Sequence, residues 1–335
     1  MFNKRTILIT GGTGSFGQKF TRYLLKKYKP KKIIIFSRDE YKQDLMNKEL
    51  GSSNKDILRF FLGDVRDRDR LALALREVDY VVHAAALKQV PAAEYNPMEF
   101  VKTNIYGAEN VIFASIQNNV KKVIALSTDK AANPINLYGS TKLASDKIFL
   151  SANNIVGKSK ISFSVIRYGN VVGSRGSVLP LFKKLYKENK KYFPITDFNM
   201  TRFWLTLDQS VKFVDHCFSK MLGGEIFIPI IPSIKITDLA KSISKSIQLK
   251  RIGIRPGEKI HEILCPRESS HLTYKFKNFF VIFNENKFIN KKKIKIYNEI
   301  GVKVPKDFEY SSGKNTKFLS INEIKKINEK VDDSI

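Results

Sequence analysis

Cysteine is almost missing from this chain. Cys217 and Cys265 are the only two among 335 residues. Two are too few for a disulfide framework, and their spacing fits no metal site, so no metal is expected. Each reads as a small buried hydrophobe. Long apolar runs are missing too, and nothing approaches the length of a membrane span. The opening Met1-Phe2-Asn3-Lys4-Arg5 passes into a strand pattern without a signal-peptide hydrophobic region. A cytoplasmic location with no membrane partner is therefore expected. Acidic residues are few beside basic ones, 32 against 59, for a formal charge of +27. Such an excess raises the question of a nucleic-acid partner. The lysines, however, are spread along the whole chain. The densest cluster, Lys291-Lys292-Lys293-Ile294-Lys295, lies far from the motifs described below. The charge reads as a solvated surface that favours anionic small molecules, and no nucleic-acid partner is expected. Internal repeats of solenoid or propeller period are also absent.

What is present is an alternation of short β-branched runs with longer helical patterns. Strands are expected at Thr6–Thr10, Lys32–Phe36, Leu58–Leu62, Tyr80–His83, Lys122–Ser127, Ser162–Arg167 and Glu225–Ile228. Helices are expected between most of them, among them Gly17–Lys27 and Ser140–Ala152. Near-continuous hydrophobic strands alternating with helices indicate an α/β fold whose parallel sheet is covered on both faces. After Tyr168 the alternation loosens. Residues 1–169 with about 200–245 are read as one domain, and about 170–199 with 246–335 as a smaller, discontinuous C-terminal lobe. The tail Ser320–Ile335 reads as a polar helix.

The first strand runs into Gly11-Gly12-Thr13-Gly14-Ser15-Phe16-Gly17 and then a helix. Glycines at these spacings let the backbone turn tightly and approach a pyrophosphate, whose charge sits at the helix N-terminus. With the strand before it and the helix after it, the pattern indicates a Rossmann-type, doubly wound dinucleotide-binding domain. The second strand ends at Ser37-Arg38-Asp39-Glu40. An NAD site usually places an acid there, on the ribose 2′-hydroxyl. A serine, a guanidinium and the nearby Lys42 suit a 2′-phosphate and favour NADP, while Asp39 and Glu40 keep NAD open. Gly63-Asp64-Val65 follows the third strand, where it would meet an adenine. Ala84-Ala85-Ala86 follows the fourth, where small side chains admit the cofactor.

The fifth strand ends in Ser127-Thr128-Asp129-Lys130, and Tyr138-Gly139-Ser140-Thr141-Lys142 follows. A tyrosine and a lysine four apart share a helix face. A phenol near pKa 10 is a poor base at neutral pH, and a neighbouring ammonium favours the phenolate. That phenolate can take a hydroxyl proton as hydride leaves for the cofactor. Thr128 can hydrogen-bond the same oxygen. Asn104 is placed to support the helix behind the tyrosine. Asp129 and Lys130 are superfluous for simple oxidation. Beside a 4-keto sugar, an acid and an amine can handle a C6 hydroxyl and a C5 proton, so that water is eliminated.

At these residues the chain resembles a known family. Leu126-Ser127-Thr128-Asp129-Lys130-Ala131-Ala132-Asn133-Pro134-Ile135-Asn136-Leu137-Tyr138-Gly139 closely resembles the inverting UDP-N-acetylglucosamine 4,6-dehydratases of pseudaminic acid biosynthesis, which are extended short-chain dehydrogenases/reductases. The resemblance covers nearly the whole chain, including the glycine loop, Ser37–Glu40, Ala84–Lys88, Arg167–Ser177, Met200–Trp204 and Arg255–Lys259. It implies that Tyr138, assisted by Lys142, oxidises C4 with NADP. It further implies that Lys130 removes the C5 proton and that Asp129 helps expel the C6 hydroxyl. The implied product is UDP-2-acetamido-2,6-dideoxy-β-L-arabino-hexos-4-ulose, an early intermediate for flagellin glycosylation. Retaining sugar dehydratases carry a glutamate at the position of Lys130. Lys88, Asn170, Ser177, Val178, Leu179, Pro180, Leu181, Arg202, Arg255 and Glu258 match the family's contacts to the UDP-sugar, and Lys88 also falls among its cofactor contacts. The family forms homo-oligomers, commonly hexamers. Taken without the resemblance, the residues leave two other readings. A nucleotide-sugar 4-epimerase needs the glycine loop, Tyr138 and Lys142, but not Asp129 and Lys130. A non-catalytic NADP-sensing protein predicts a broken tyrosine–lysine pair, and the pair is intact.

Overall fold

The computed structural model describes residues 1–173, 178–284 and 301–330. Its first half alternates strand and helix: β1 (Thr6–Thr10), α1 (Ser15–Lys27), β2 (Lys32–Ser37), α2 (Glu40–Leu50), β3 (Leu58–Leu62), α3 (Arg68–Ala74) and β4 (Tyr80–His83). Then come α4 (Val90–Tyr95), α5 (Pro97–Phe100), one π-helical stretch (Val101–Tyr106) and α6 (Gly107–Gln117). After these follow β5 (Lys122–Thr128), α7 (Leu137–Ser151) and β6 (Ser162–Tyr168). Every residue of β1 is buried, as expected of a strand covered on both faces. Helix α1 turns Gly17, Phe20, Thr21 and Leu24 onto the sheet, a spacing that draws one apolar stripe along it.

The second half is less regular. It contains β7 (Asn170–Val171), α8 (Val178–Lys187), β8 (Tyr192–Ile195), β9 (Thr201–Leu205), α9 (Leu207–Lys220), β10 (Glu225–Pro229), β11 (Ser233–Lys235), α10 (Ile236–Ile243) and β12 (Gln248–Arg251). The short strands β13 (Ile263–Cys265), β14 (Thr273–Lys275), β15 (Phe279–Phe283), β16 (Val302–Lys303) and β17 (Tyr310–Ser311) come next, and a helix at Ile321–Glu329 ends the described chain.

The main sheet has the order β16-β14-β15-β10-β6-β5-β4-β1-β2-β3. From β3 to β10 all neighbours are parallel, so the chain does return to the sheet at Glu225. The strand order reverses between β1 and β4, which opens a crevice at the carboxyl ends of the strands. Three antiparallel strands, β15, β14 and β16, extend the sheet beyond β10. The segment after residue 246 is thus shared between the sheet and a second hydrophobic cluster. That cluster gathers Phe182, Phe193, Trp204, Ile234, Leu239 and Ile324. The terminal helix was expected to be polar. Instead it is amphipathic, capped by Ser320 and Glu323, with Ile324 wholly buried in this second core. No helix among the described residues is long and apolar enough to cross a membrane.

Candidate active site

A cleft of about 620 Å³ opens along the carboxyl edge of the parallel strands. The loop after β1 forms its floor. A Cβ on Gly11 would lie 2.9 Å from Ala85 Cα, and one on Gly17 would lie 2.4 Å from Gly12 O, so neither position tolerates a side chain. Gly14 is the N-cap of α1; no side chain caps that helix, and its first turn holds no acid. Its first N–H groups therefore have no side-chain acceptor, as an anion-binding helix start requires. Thr13, Ser15, Phe16, Val65, Ala84, Ala86 and Lys88 line the same cleft. This glycine-lined cradle fits the pyrophosphate of a dinucleotide. At one end Arg38 lies 3.5 Å from Asp64, which Arg66 also holds at 2.7 Å, and Lys42 pairs with Asp39. Ser37 Oγ accepts from Gln43 Nε2 at 3.0 Å.

At the other end the structure brings Thr128, Asp129, Lys130, Tyr138, Lys142 and Asn170 to the wall of the cleft. Two glycines make this possible. A Cβ on Gly139 would lie 2.3 Å from Lys130 O, and one on Gly169 would lie 3.3 Å from Asp129 Oδ2 and 2.6 Å from Phe203 Cβ. The Asp129–Lys130 turn therefore packs directly against the start of α7. Asn136 caps α7 by accepting from Gly139 N at 2.8 Å. Its amide also donates to Gly257 O at 2.7 Å, and Lys259 Nζ donates to Ala132 O at 2.6 Å. These bonds dock the Arg255–Lys259 loop onto the turn.

Tyr138 is buried, and burial pushes its phenol up to about 12. Lys130 and a hydrogen bond with Thr128 act in the opposite direction. Lys142 is buried one helical turn from Tyr138. Lys142 Nζ donates to Leu126 O at 2.8 Å, and its own pKa is lowered by burial. Lys130 is a cation that favours the phenolate in this structure.

Lys130 itself lies between two carboxyl groups. Its Nζ is 3.1 Å from Asp129 Oδ1 and 3.2 Å from Glu262 Oε1. Burial disfavours its charge, but Asp129 and Glu262 outweigh burial and hold the ammonium above its usual range. Burial pushes Asp129 up, and Glu262 adds to that. Glu262 is buried too, but Lys130 and Arg202 hold its carboxylate below the usual range. Sequence reasoning missed Glu262. A lone glutamate 132 positions from its partner, in no periodic element, carries no local signal.

The remaining expected site residues fall elsewhere. Asn104 lies behind the wall, where its side chain accepts from Leu87 N at 2.9 Å and donates to Leu87 O at 2.9 Å and Thr141 Oγ1 at 3.0 Å. Arg202 is buried; it donates to Thr201 O and Ile260 O and faces Glu258 at 3.6 Å and Glu262 at 3.7 Å. Arg255 stands exposed on its loop. Val178, Leu179, Pro180 and Leu181 form the first turn of α8, with Leu179 in the second core. Ser177 and the lysine cluster at 291–295 lie outside the described residues.

The strand order, the glycine cradle and the Tyr138–Lys142 helix define a class: an extended short-chain dehydrogenase/reductase with a dinucleotide cleft. Residues 7–284 match the polysaccharide biosynthesis protein family, and the chain belongs to it. It is 58% identical to the UDP-N-acetylglucosamine 4,6-dehydratase (inverting) of Campylobacter jejuni subsp. jejuni serotype O:2 across 98% of both chains. A UDP-glucose 4-epimerase from Rickettsia bellii is 41% identical, over 98% of this chain and 96% of that one. Among solved structures, Pen from Bacillus thuringiensis has a TM-score of 0.87 at 35% identity, over 98% of both chains. A dTDP-glucose 4,6-dehydratase from Streptomyces venezuelae shares the fold, with a TM-score of 0.68 at 22% identity over 76% of this chain and 86% of that one.

Proposed function

We propose that this protein is an inverting UDP-N-acetylglucosamine 4,6-dehydratase. The observation that carries the reading is Lys130, held by Asp129 in the same cleft wall as Tyr138. An epimerase has no use for that acid–amine pair. The 58% identical relative bears the dehydratase name.

The nicotinamide ring, when bound, supplies the hydride acceptor for C4 and the hydride donor for C6. The side chains move the protons. Tyr138 takes the C4 hydroxyl proton, with Thr128 bonded to the same phenol. Because burial opposes the phenolate, the step needs added positive charge nearby, which Lys130 provides. The C4 ketone then acidifies C5–H. Lys130, having first passed its own proton to Asp129 Oδ1 at 3.1 Å, receives the C5 proton, and Asp129 gives the one it took to the departing C6 hydroxyl. C5 is reprotonated on the opposite face, giving UDP-2-acetamido-2,6-dideoxy-β-L-arabino-hexos-4-ulose. We further propose NADP as the cofactor, with Arg38 and Lys42 toward its 2′-phosphate and Lys88 along the cleft. Arg202, Arg255 and Glu258 would serve the UDP moiety. Pseudaminic acid synthesis for flagellin glycosylation and a hexameric assembly complete the proposal.

The test is incubation with UDP-N-acetylglucosamine and catalytic NADP. Loss of one water without accumulation of reduced cofactor is the expected result. A product of unchanged mass would make the protein an epimerase.

A further inference from the structure

One group packed against the Asp129–Lys130 turn is left without a role by the dehydratase reading. Glu262 is buried 2% exposed, its Oε1 lies 3.2 Å from Lys130 Nζ and 3.7 Å from Arg202 Nε, and its Oε2 has no hydrogen-bond partner among the described residues. A carboxylate is not held in such a place without a counter-ion, and Glu262 has two. We infer that Glu262 is a positioning residue for the elimination: its carboxylate shares the Lys130 ammonium with Asp129, stays ionised throughout, and leaves Asp129 as the carboxyl that carries the proton.

The geometry separates the two acids. Glu262 faces the cations Lys130 and Arg202, with Lys259 also close enough to act on it. Asp129 is buried and among the described residues receives Thr128 Oγ1 at 3.0 Å and Lys130 Nζ at 3.1 Å, both on Oδ1. Its Oδ2 has no partner among the described residues. With Glu262 nearby adding to its negative surroundings, Asp129 is the easier of the two to protonate.

This division makes one proton transfer sufficient to prepare both catalytic groups. At rest the proton is on Lys130. Handing it across 3.1 Å to Asp129 Oδ1 yields a neutral amine and a neutral acid together. In the elimination the C5–H bond breaks and its proton goes to Nζ. The electron pair forms the C5–C6 double bond, and the C6–O bond breaks as the hydroxyl takes the proton of Asp129 and leaves as water. The pair returns to ammonium and carboxylate. Glu262 neither gains nor loses a proton. It stabilises the ammonium that the step creates, which makes Lys130 the stronger base. Arg202 and Tyr138 also face Lys130, and they set its proton affinity together with the two acids.

The inference rests on the proposed dehydration only in its second arm. The first arm uses no substrate. Lys130 is 24% exposed, so its amine can be titrated in the cofactor-loaded enzyme by competitive acetylation with acetic anhydride, read by peptide mass spectrometry across pH. In Glu262→Gln the lysine should titrate at lower pH than in the wild type, and in Glu262→Asp in between. An unchanged titration in both overturns the inference. If Glu262→Gln does not fold, the Glu262→Asp shift alone decides. In the second arm, Glu262→Gln should release water roughly tenfold more slowly with KM unchanged, while absorbance of bound reduced cofactor builds at the C4-keto stage. Loss of kcat and KM together, without that absorbance, would mean Glu262 only packs the wall and would also overturn the inference. If the wild type releases no water, the dehydratase reading fails and the titration still tests the clamp.

Discussion

Two buried ion-pair clusters sit at α7, one reaching it through Asp146 and one at the turn that precedes it, and their difference separates architecture from chemistry. In the first, Asp146 meets Arg167 at 3.0 Å with exposures of 2% and 4%. Asp146 also accepts from Ser127 Oγ at 2.8 Å, and Arg167 donates to Leu264 O at 3.3 Å. That cluster ties β5, β6, α7 and β13 together behind the cleft. In the second, Lys130 meets Asp129 and Glu262 at its wall. The cation decides what each can do. A guanidinium stays charged in any protein, so Arg167 can only lock. An ammonium can give up its proton, so Lys130 can react.

The sharpest way to break this contrast is to remove each cation's partner or the cation itself. Lys130→Ala should reduce water release by about 10²- to 10⁴-fold, the usual worth of a positioned acid–base group, while cofactor still binds. Unchanged turnover would remove its role. Asp146→Ala should cost about 3–5 kcal/mol of stability in chemical denaturation, because it strands a buried guanidinium. Lys130→Ala should cost clearly less, since Glu262 keeps Arg202 and Asp129 can take a proton. Equal losses would erase the distinction. Gly139→Ala tests the link between the clusters: a methyl group 2.3 Å from Lys130 O must push the turn, costing about 1–3 kcal/mol as overpacking does, with turnover falling further than stability.

A smaller effect comes from a buried base with no acid partner. His83 is fully buried, with Nδ1 2.9 Å from Thr10 Oγ1, and burial followed by the charge of Lys142 lowers it from 6.5 to about 3. Its folded pKa lies below its unfolded one, so unfolding takes up a proton. The stability it contributes is complete above pH 6.5 and is lost as pH falls toward 3. Denaturation midpoints measured across that window should fall less steeply in His83→Phe. The smallest change is expected at the half-exposed pair Arg38–Asp64: Arg38→Ala should alter stability by less than about 1 kcal/mol and weaken NADP more than NAD in a binding titration.

The same contrast explains what the sequence made legible. The parallel strands of the main sheet, β1 to β6 and β10, end within one residue of where their β-branched runs end, because a strand buried on both faces has to be hydrophobic throughout. The glycine loop and the Tyr138–Lys142 helix are equally local, each written in a few consecutive residues. Asp146 was legible in principle, four residues past Lys142 on the same helix face. The hydrogen bond from Lys142 Nζ to Leu126 O was not legible, because the fold alone brings the end of β5 to that side chain. Glu262 reaches Lys130 from a distant segment that Asn136 and Lys259 help dock onto the turn after β5. No pattern of spacing records that contact. The second core was hard to see for a related reason: its strands run only two to five residues and come from separated segments, so no periodicity builds up.

The most direct test of proton transfer at C5 is turnover of UDP-N-acetylglucosamine in D₂O, with the product read by mass spectrometry and NMR. The account predicts a product lacking one water, with deuterium at C5 and the hydrogen from C4 carried to C6. A product that keeps protium at C5, or one of unchanged composition, would contradict it.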